Sequence, residues 1–231
     1  MYSGVMETPR DRLVTAMSDL MWERGHAATS PREVRERSTV GQGSMYHHFS
    51  GKHPPALAAL ERNCADLLPG SLELLEGEGT PLAWWRAYLS RDRDALRGCK
   101  VGRLTQDPEV ASDPELLAPV ADAFAQVRGA LTRVLSQAFD AGELPASLCP
   151  ERVAALMSAT IQGGYVLAIA AQDPALFHDA CQGVLELLDV ASSFRRRLAR
   201  LRRRRLLKER MGRRLATSPD LLNAGPLVLG P

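Results

Sequence analysis

Extended β-branched runs are almost absent from this 231-residue chain, and aromatic residues make up only 5% of it. Leu and Ala are abundant instead, a balance that favours helices packed on helices over sheets. No uninterrupted apolar stretch reaches the roughly 18 residues that a membrane span requires. The best candidate, Ile161 to Ala171, is short and contains Gln162, Gly163 and Gly164. Met1 to Arg12 has no apolar secretory core, so the expectation is a cytoplasmic protein with no membrane partner. The four cysteines, at 64, 99, 149 and 181, form no C-x-x-C pair, and no histidine stands at metal-ligand spacing. No metal or other cofactor is therefore expected. Such isolated cysteines read as small core residues, with redox sensing by one of them as the other reading. A Ser-His-Asp elbow and a Gly-rich phosphate loop are also missing, which argues against an enzyme.

What is present is charge, unevenly placed. The net charge of +2 hides a body and a tail of opposite sign. Residues 1–194 carry 17 Lys/Arg against 25 Asp/Glu, a net of −8, whereas residues 195–214 carry 12 Lys/Arg against one Glu, a net of +11. Within the first part, residues 1–55 hold 7 basic and 6 acidic groups, and residues 56–194 hold 10 basic and 19 acidic groups. A polyanion should meet the N-terminal head or the tail, not the acidic middle.

Apolar periodicity and punctuation divide the chain into helices. Leu13, Ala16, Met17, Leu20 and Met21 mark an amphipathic helix over about 9–24, stopped by Gly25. Ser30-Pro31-x-Glu33 is a capping box opening a short helix over 31–38. Thr39-Val40-Gly41 breaks it, and a second short helix follows over about 42–48. Later helices are expected at Leu82 to Leu96, Asp113 to Ala141, Glu151 to Ala171 and Pro174 to about Phe194. The fold class is thus all-α. Residues 1–55 form a three-helix helix-turn-helix domain, 56–194 a second helical domain, and 195–231 an Arg-rich basic extension. The last helix could continue into that extension, whereas Gly212 to Pro231 reads as disordered.

Two short helices across a tight turn place the second in a DNA major groove, so that helix must expose groups that bond bases and phosphates. Gln42, Ser44, Tyr46, His47 and His48 supply them, Gly43 admits a close backbone approach, and Met45 and Phe49 can face inward. The other reading of these residues is a small aromatic core cluster and a plain helix cap.

The stretch Thr29-Ser30-Pro31-Arg32-Glu33-Val34 with Val40-Gly41-Gln42-Gly43-Ser44-Met45-Tyr46-His47-His48-Phe49-Ser50-Gly51-Lys52 resembles the DNA-binding signature of the TetR/AcrR family. The resemblance implies that Gln42, Ser44, Tyr46 and His47 face the groove, and that Thr29, Arg32, Tyr46, His48 and Lys52 face phosphates. Thr39 stands where the family usually has Gly, although a β-branched residue suits positive φ poorly. Arg35 stands where a small residue is usual.

The resemblance continues through Gly98-Cys99-Lys100-Val101-Gly102 and implies a ligand-binding and dimerisation domain over 56–194. Its cavity lining would come from Leu60, Cys64, Trp84, Trp85, Tyr88, Leu104, Phe124, Val127, Met157, Ile161 and Tyr165, each of which could equally fill core. The effector is expected to be small and partly apolar, since few charges fall among these positions. A homodimer is expected through the last two helices, using Leu156, Thr160, Ile161, Gly164, Leu167 and Ala168, then Phe177, Cys181, Val184, Leu185 and Leu188. The function implied is a transcriptional repressor, released from double-stranded DNA at a palindromic operator by a small-molecule effector. The alternative is a non-specific nucleic-acid-binding protein driven by the Arg-rich tail.

Overall fold

A computed structural model describes residues 7–76, 79–145 and 147–216, without the side chains of 198, 199, 202 and 211–216. All regular structure in the described residues is helical: α1 Pro9–Arg24, α2 Pro31–Ser38, α3 Gln42–His48, α4 His53–Leu72, α5 Pro81–Ser90, α6 Pro108–Ser112, α7 Pro114–Asp140, α8 Pro150–Ala171 and α9 Ala175–Ala216. Short 3-10 turns lie at Glu73–Leu75 and Gly102–Gln106.

The helix starts follow one local rule. Thr8, Ser30, Thr80, Asp107 and Asp113 each cap a helix whose first residue is proline. The side-chain oxygen accepts an otherwise unpaired N–H, and proline has no N–H to leave unpaired there. Thr8 with Asp11, and Ser30 with Glu33, form complete capping boxes. The head therefore folds as its sequence pattern predicts.

Two apolar cores form. One gathers Leu13, Met17, Leu20, Val34, Met45 and Phe49 of the head with Leu60 and Cys64 of α4, and with Val101, Leu104, Val110, Leu116 and Val120 further on. The head core thus continues into the body through α4 and the 101–120 segment. The other core joins α5, α7, α8 and α9 around Trp85, Leu131, Leu135, Met157 and Phe177.

Three expectations shift. The helix expected over Leu82 to Leu96 stops at Ser90, because the Arg93 guanidinium turns back and donates to the carbonyls of Tyr88 (2.8 Å), Arg91 (3.0 Å) and Leu89 (3.4 Å). Helix α6 was not expected; the buried Asp107 cap holds it. Helix α9 runs on through the basic segment to Ala216, so Gly212 to Ala216 are helical, and 217–231 lie outside the described residues.

Helix α8 is long and apolar enough by composition to cross a membrane. Here it packs against both α7 and α9, which accounts for part of that character.

Candidate functional site

Helix α3 stands out from the head as its most exposed helix. Met45 and Phe49 turn into the core, so Gln42, Gly43, Tyr46 and His47 face solvent, with Ser44 and His48 half-buried. Tyr46 is 59% exposed, too open for a core aromatic. The Gln42 Oε1 accepts from Arg35 Nη1 at 3.2 Å, so the large residue in α2 is accommodated on the outer face. Pro31, Arg32, Arg35, Gln42, Met45 and Tyr46 line a shallow cleft between α2 and α3. Thr39 adopts the left-handed conformation (φ 55°, ψ 27°) that the turn requires, and its hydroxyl donates to Ser38 O and accepts from Arg12 Nη1. The turn geometry thus survives without glycine.

The residues expected at phosphates divide. Arg32 is exposed and paired with Glu36 at 2.7 Å. Thr29 is only 2% exposed, and its hydroxyl donates to Gly25 O at 2.7 Å, holding the loop between α1 and α2. Lys52 turns toward the body, its Nζ 2.9 Å from Glu109 Oε2.

That last contact belongs to a junction between head and body. Glu109 Oε2 also lies 2.9 Å from Nδ1 of the buried His26. Burial first, and then Lys52, hold His26 below the ordinary histidine pKa against the opposing pull of Glu109 and Asp107. The Asp107 carboxylate accepts from Ala27 N and Glu109 N (both 3.0 Å) and from Val110 N (3.2 Å). Burial works to raise its pKa, but these backbone donors outweigh it and keep the group ionised. His53 Nε2 adds a contact to Asp113 at 3.0 Å. On the neighbouring side, Trp22 Nε1 donates to the carbonyls of Arg97 (3.1 Å) and Gly98 (3.2 Å), and the Arg97 guanidinium lies 3.5 Å over its ring.

Behind this junction are two adjoining cavities of about 600 and 90 Å³, which share Cys99, Phe124, Gln162 and Tyr165 as walls. Of the expected lining, Tyr88, Phe124, Val127, Ile161 and Tyr165 are present. Leu60, Cys64 and Leu104 instead fill the head-side core, and burial pushes the Cys64 thiol up to about 11. Trp85 and Met157 fill the distal core, with Trp84 packed against it. Sequence reasoning missed the 98–106 wall and the basic residues Arg91, Arg93 and Arg103. The expectation of few charges in the cavity is therefore corrected: these arginines come from loops and helix ends, where apolar periodicity is silent.

The expected interface list is also revised. Ile161, Gly164, Ala168, Phe177, Cys181, Val184, Leu185 and Leu188 are buried within the chain, mostly in the α8–α9 contact. Gly164 is needed there, because a Cβ would meet Phe177 Cδ2 at 3.0 Å. Thr160 is half-buried, and Leu156, Val166, Leu167, Leu187, Val190 and Phe194 are exposed, as are Leu201, Leu206 and Leu207 in the basic part of α9.

Comparison with known proteins agrees with this architecture. Residues 13–53 match the family described as "Bacterial regulatory proteins, tetR family", and residues 81–184 match "Tetracyclin repressor-like, C-terminal domain". The HTH-type transcriptional regulator Rv0196 of Mycobacterium tuberculosis is 30% identical over 174 residues, covering 73% of this chain and 88% of that protein. The HTH-type transcriptional activator FasR of Mycolicibacterium smegmatis is 28% identical over 112 residues, covering 48% of this chain and 51% of that protein. The reduced form of Escherichia coli NemR shares the fold with a TM-score of 0.67 at 24% identity, covering 77% of this chain and 95% of that one.

Proposed function

The chain belongs to the tetR family of bacterial regulatory proteins, DNA-binding transcriptional regulators, and on that footing we propose that it is a cytoplasmic, ligand-released repressor working as a homodimer. Two heads would grip a palindromic operator through Gln42, Gly43, Ser44, Tyr46 and His47, with Arg32 and His48 on phosphates. A second head is needed because one short helix reads too few base pairs. Val166, Leu167, Leu187, Val190 and Phe194 offer an apolar surface for the two-fold contact, a face that otherwise meets water.

The observation that carries the ligand-release reading is the continuity of residues 97–109. Gly98, Cys99, Gly102, Arg103, Thr105 and Gln106 form one side of the larger cavity. The same segment receives Trp22 at one end and holds Ala27, His26 and Lys52 at the other. A molecule that fits the cavity only when this segment moves would shift the heads by its affinity ratio for the two states. Lys52 has two roles to choose between in this scheme: its sequence-expected phosphate contact requires it to leave Glu109.

The tail-driven alternative is disfavoured because the head matches the tetR-family DNA-binding region and exposes α3, and because the tail leaves the body far from it. Arg195 Nη1 donates to Leu144 O, just beyond the end of α7, while the start of α7 holds the head through His53 and Asp113. The 27 residues of α7 put these ends roughly 40 Å apart.

The test is fluorescence anisotropy of the full chain, a chain ending at residue 194, Gln42→Ala and Tyr46→Ala on the duplex upstream of the gene and on its scrambled counterpart. The expected result is a preference for the upstream duplex that survives tail removal and is lost in both head variants. Sequence-blind binding that requires residues 195–214 and falls steeply with salt would overturn it.

A further inference from the structure

The domain that holds the cavities is acidic, with 19 Asp/Glu against 10 Lys/Arg over residues 56–194. A cavity lined at random from this domain would carry about two carboxylates for every cation. The two adjoining cavities show the reverse: Arg91, Arg93 and Arg103 line them, with no Asp, Glu or His among the described residues of either wall.

The three guanidinium groups are not equally free. Arg93 is held by the three carbonyls at the end of α5, and Arg103 Nη1 donates to Trp22 O at 3.0 Å. Arg91 donates once, from Nη1 to Ser71 Oγ at 3.3 Å, and is half-buried. No carboxylate of a described residue lies within ion-pair distance of Arg91 or Arg93; the ion pairs of Arg elsewhere join Arg24, Arg32, Arg37, Arg62, Arg86 and Arg205. A guanidinium carries five N–H donors in a planar fork that matches a carboxylate or a sulfonate. Partly withdrawn from water with most of that fork unused, Arg91 bears a desolvation cost that a bound anion would offset. Phe124, a wall of both cavities, joins the smaller one, where Arg91 lies, to the apolar wall that Val166, Ile169 and Ala170 give the larger.

We infer that the molecule these cavities take is an anion with an apolar body, its acidic head against Arg91 and its body along Phe124 and Ile169. This rests on the reading of the cavity as the effector site, and adds the chemical class of the effector. A neutral molecule of the same shape would leave most of the Arg91 fork unpaired, so the site discriminates by charge as well as by shape.

The test uses a matched pair of fluorescent probes, 1-anilinonaphthalene-8-sulfonate and neutral N-phenyl-1-naphthylamine, which differ by the sulfonate alone. Both are titrated into the full-length protein, Arg91→Gln and Arg91→Lys. The expected result is that the sulfonate binds at least tenfold more tightly to the wild type. Arg91→Gln should erase that ratio, and Arg91→Lys, which keeps the charge and loses the fork, should retain part of it. Octanoate should displace the sulfonate probe and octanamide should not. Equal binding of the two probes, a ratio unchanged in Arg91→Gln, or no saturable binding of either would overturn the inference. The same probe is then added to the protein on its upstream duplex. Arg91-dependent binding that leaves the DNA bound keeps the anion assignment and rejects the cavity as the effector site.

Discussion

Removing the Asp107 carboxylate tests the junction most sharply, because one small side chain holds three backbone donors there. Asp107→Ala deletes the cap of α6, a five-residue helix that has few other means of satisfying its first N–H groups. Losing a cap costs about 1 kcal/mol. It also removes the acceptor for the part-buried Ala27 N–H, worth about 1–2 kcal/mol when left unsatisfied. The sum of about 2–3 kcal/mol corresponds to a fall in Tm of about 5–10 °C in a chain of this size. Asp107→Asn keeps one acceptor oxygen, for the α6 cap, and should lose about half as much. Gly25 supplies a cross-check, since a Cβ there would sit 2.6 Å from Asp107 Oδ2. Gly25→Ala should therefore cost less in the Asp107→Ala background, where only its positive φ of 91° remains as a penalty, than in the wild type, where the clash adds to it. Differential scanning calorimetry of the wild type, the three single variants and the double variant measures all of this. An Asp107→Ala protein melting within about 1 °C of the wild type would refute the junction's role, and strict additivity with Gly25→Ala would refute the contact.

Other expectations concern the turn, the helix pair and pH. Thr39→Asn should leave stability within about 1 kcal/mol of the wild type, because Asn's tolerance of the left-handed conformation offsets the two hydrogen bonds of the Thr39 hydroxyl, and operator preference should not change; a larger loss of stability in urea unfolding would contradict this. Gly164→Val should cost about 1–3 kcal/mol by pushing Phe177 away, whereas Gly163→Val, with nothing within 4 Å of its Cβ, should leave the fold intact; equal melting temperatures would contradict the α8–α9 contact described here. His26 has a depressed pKa in the folded state, so its contribution is fully present above the ordinary histidine value near 6.5 and declines as pH falls below it. Glu109, held down first by its hydrogen bond from Lys52, declines in turn as pH falls through the carboxylate range. The difference in Tm between wild type and His26→Gln, followed from pH 8 to pH 5, should shrink as pH falls; a constant difference would contradict the burial of a neutral His26.

The head was legible because its signals are local. Each cap lies within three residues of the N–H it satisfies, and the Met45 and Phe49 spacing alone decides which face of α3 is left exposed. Thr39 shows the limit of residue statistics: the turn required a left-handed residue, and a threonine with two side-chain hydrogen bonds adopted it. The cavity was half legible. Tyr88, Phe124, Val127, Ile161 and Tyr165 lie on helix stripes, whereas Arg91, Arg93 and the 98–106 wall lie where no period runs. Most of the α8 and α9 residues expected at an interface proved to be buried within the chain, Leu156 and Leu167 excepted, for a different reason. Both helices are apolar on two sides, and spacing gives the stripes without saying which one meets the chain's own core.

The central claim is that the exposed face of α3 reads sequence. Its most direct test is selection of bound duplexes from a random library by the full-length protein, by Gln42→Ala and by Tyr46→Ala. The account predicts enrichment of one near-palindrome by the wild type, with half-sites about one helical turn apart, and its loss or altered bases in both variants. No enrichment, or the same enriched sequence from all three proteins, would contradict it.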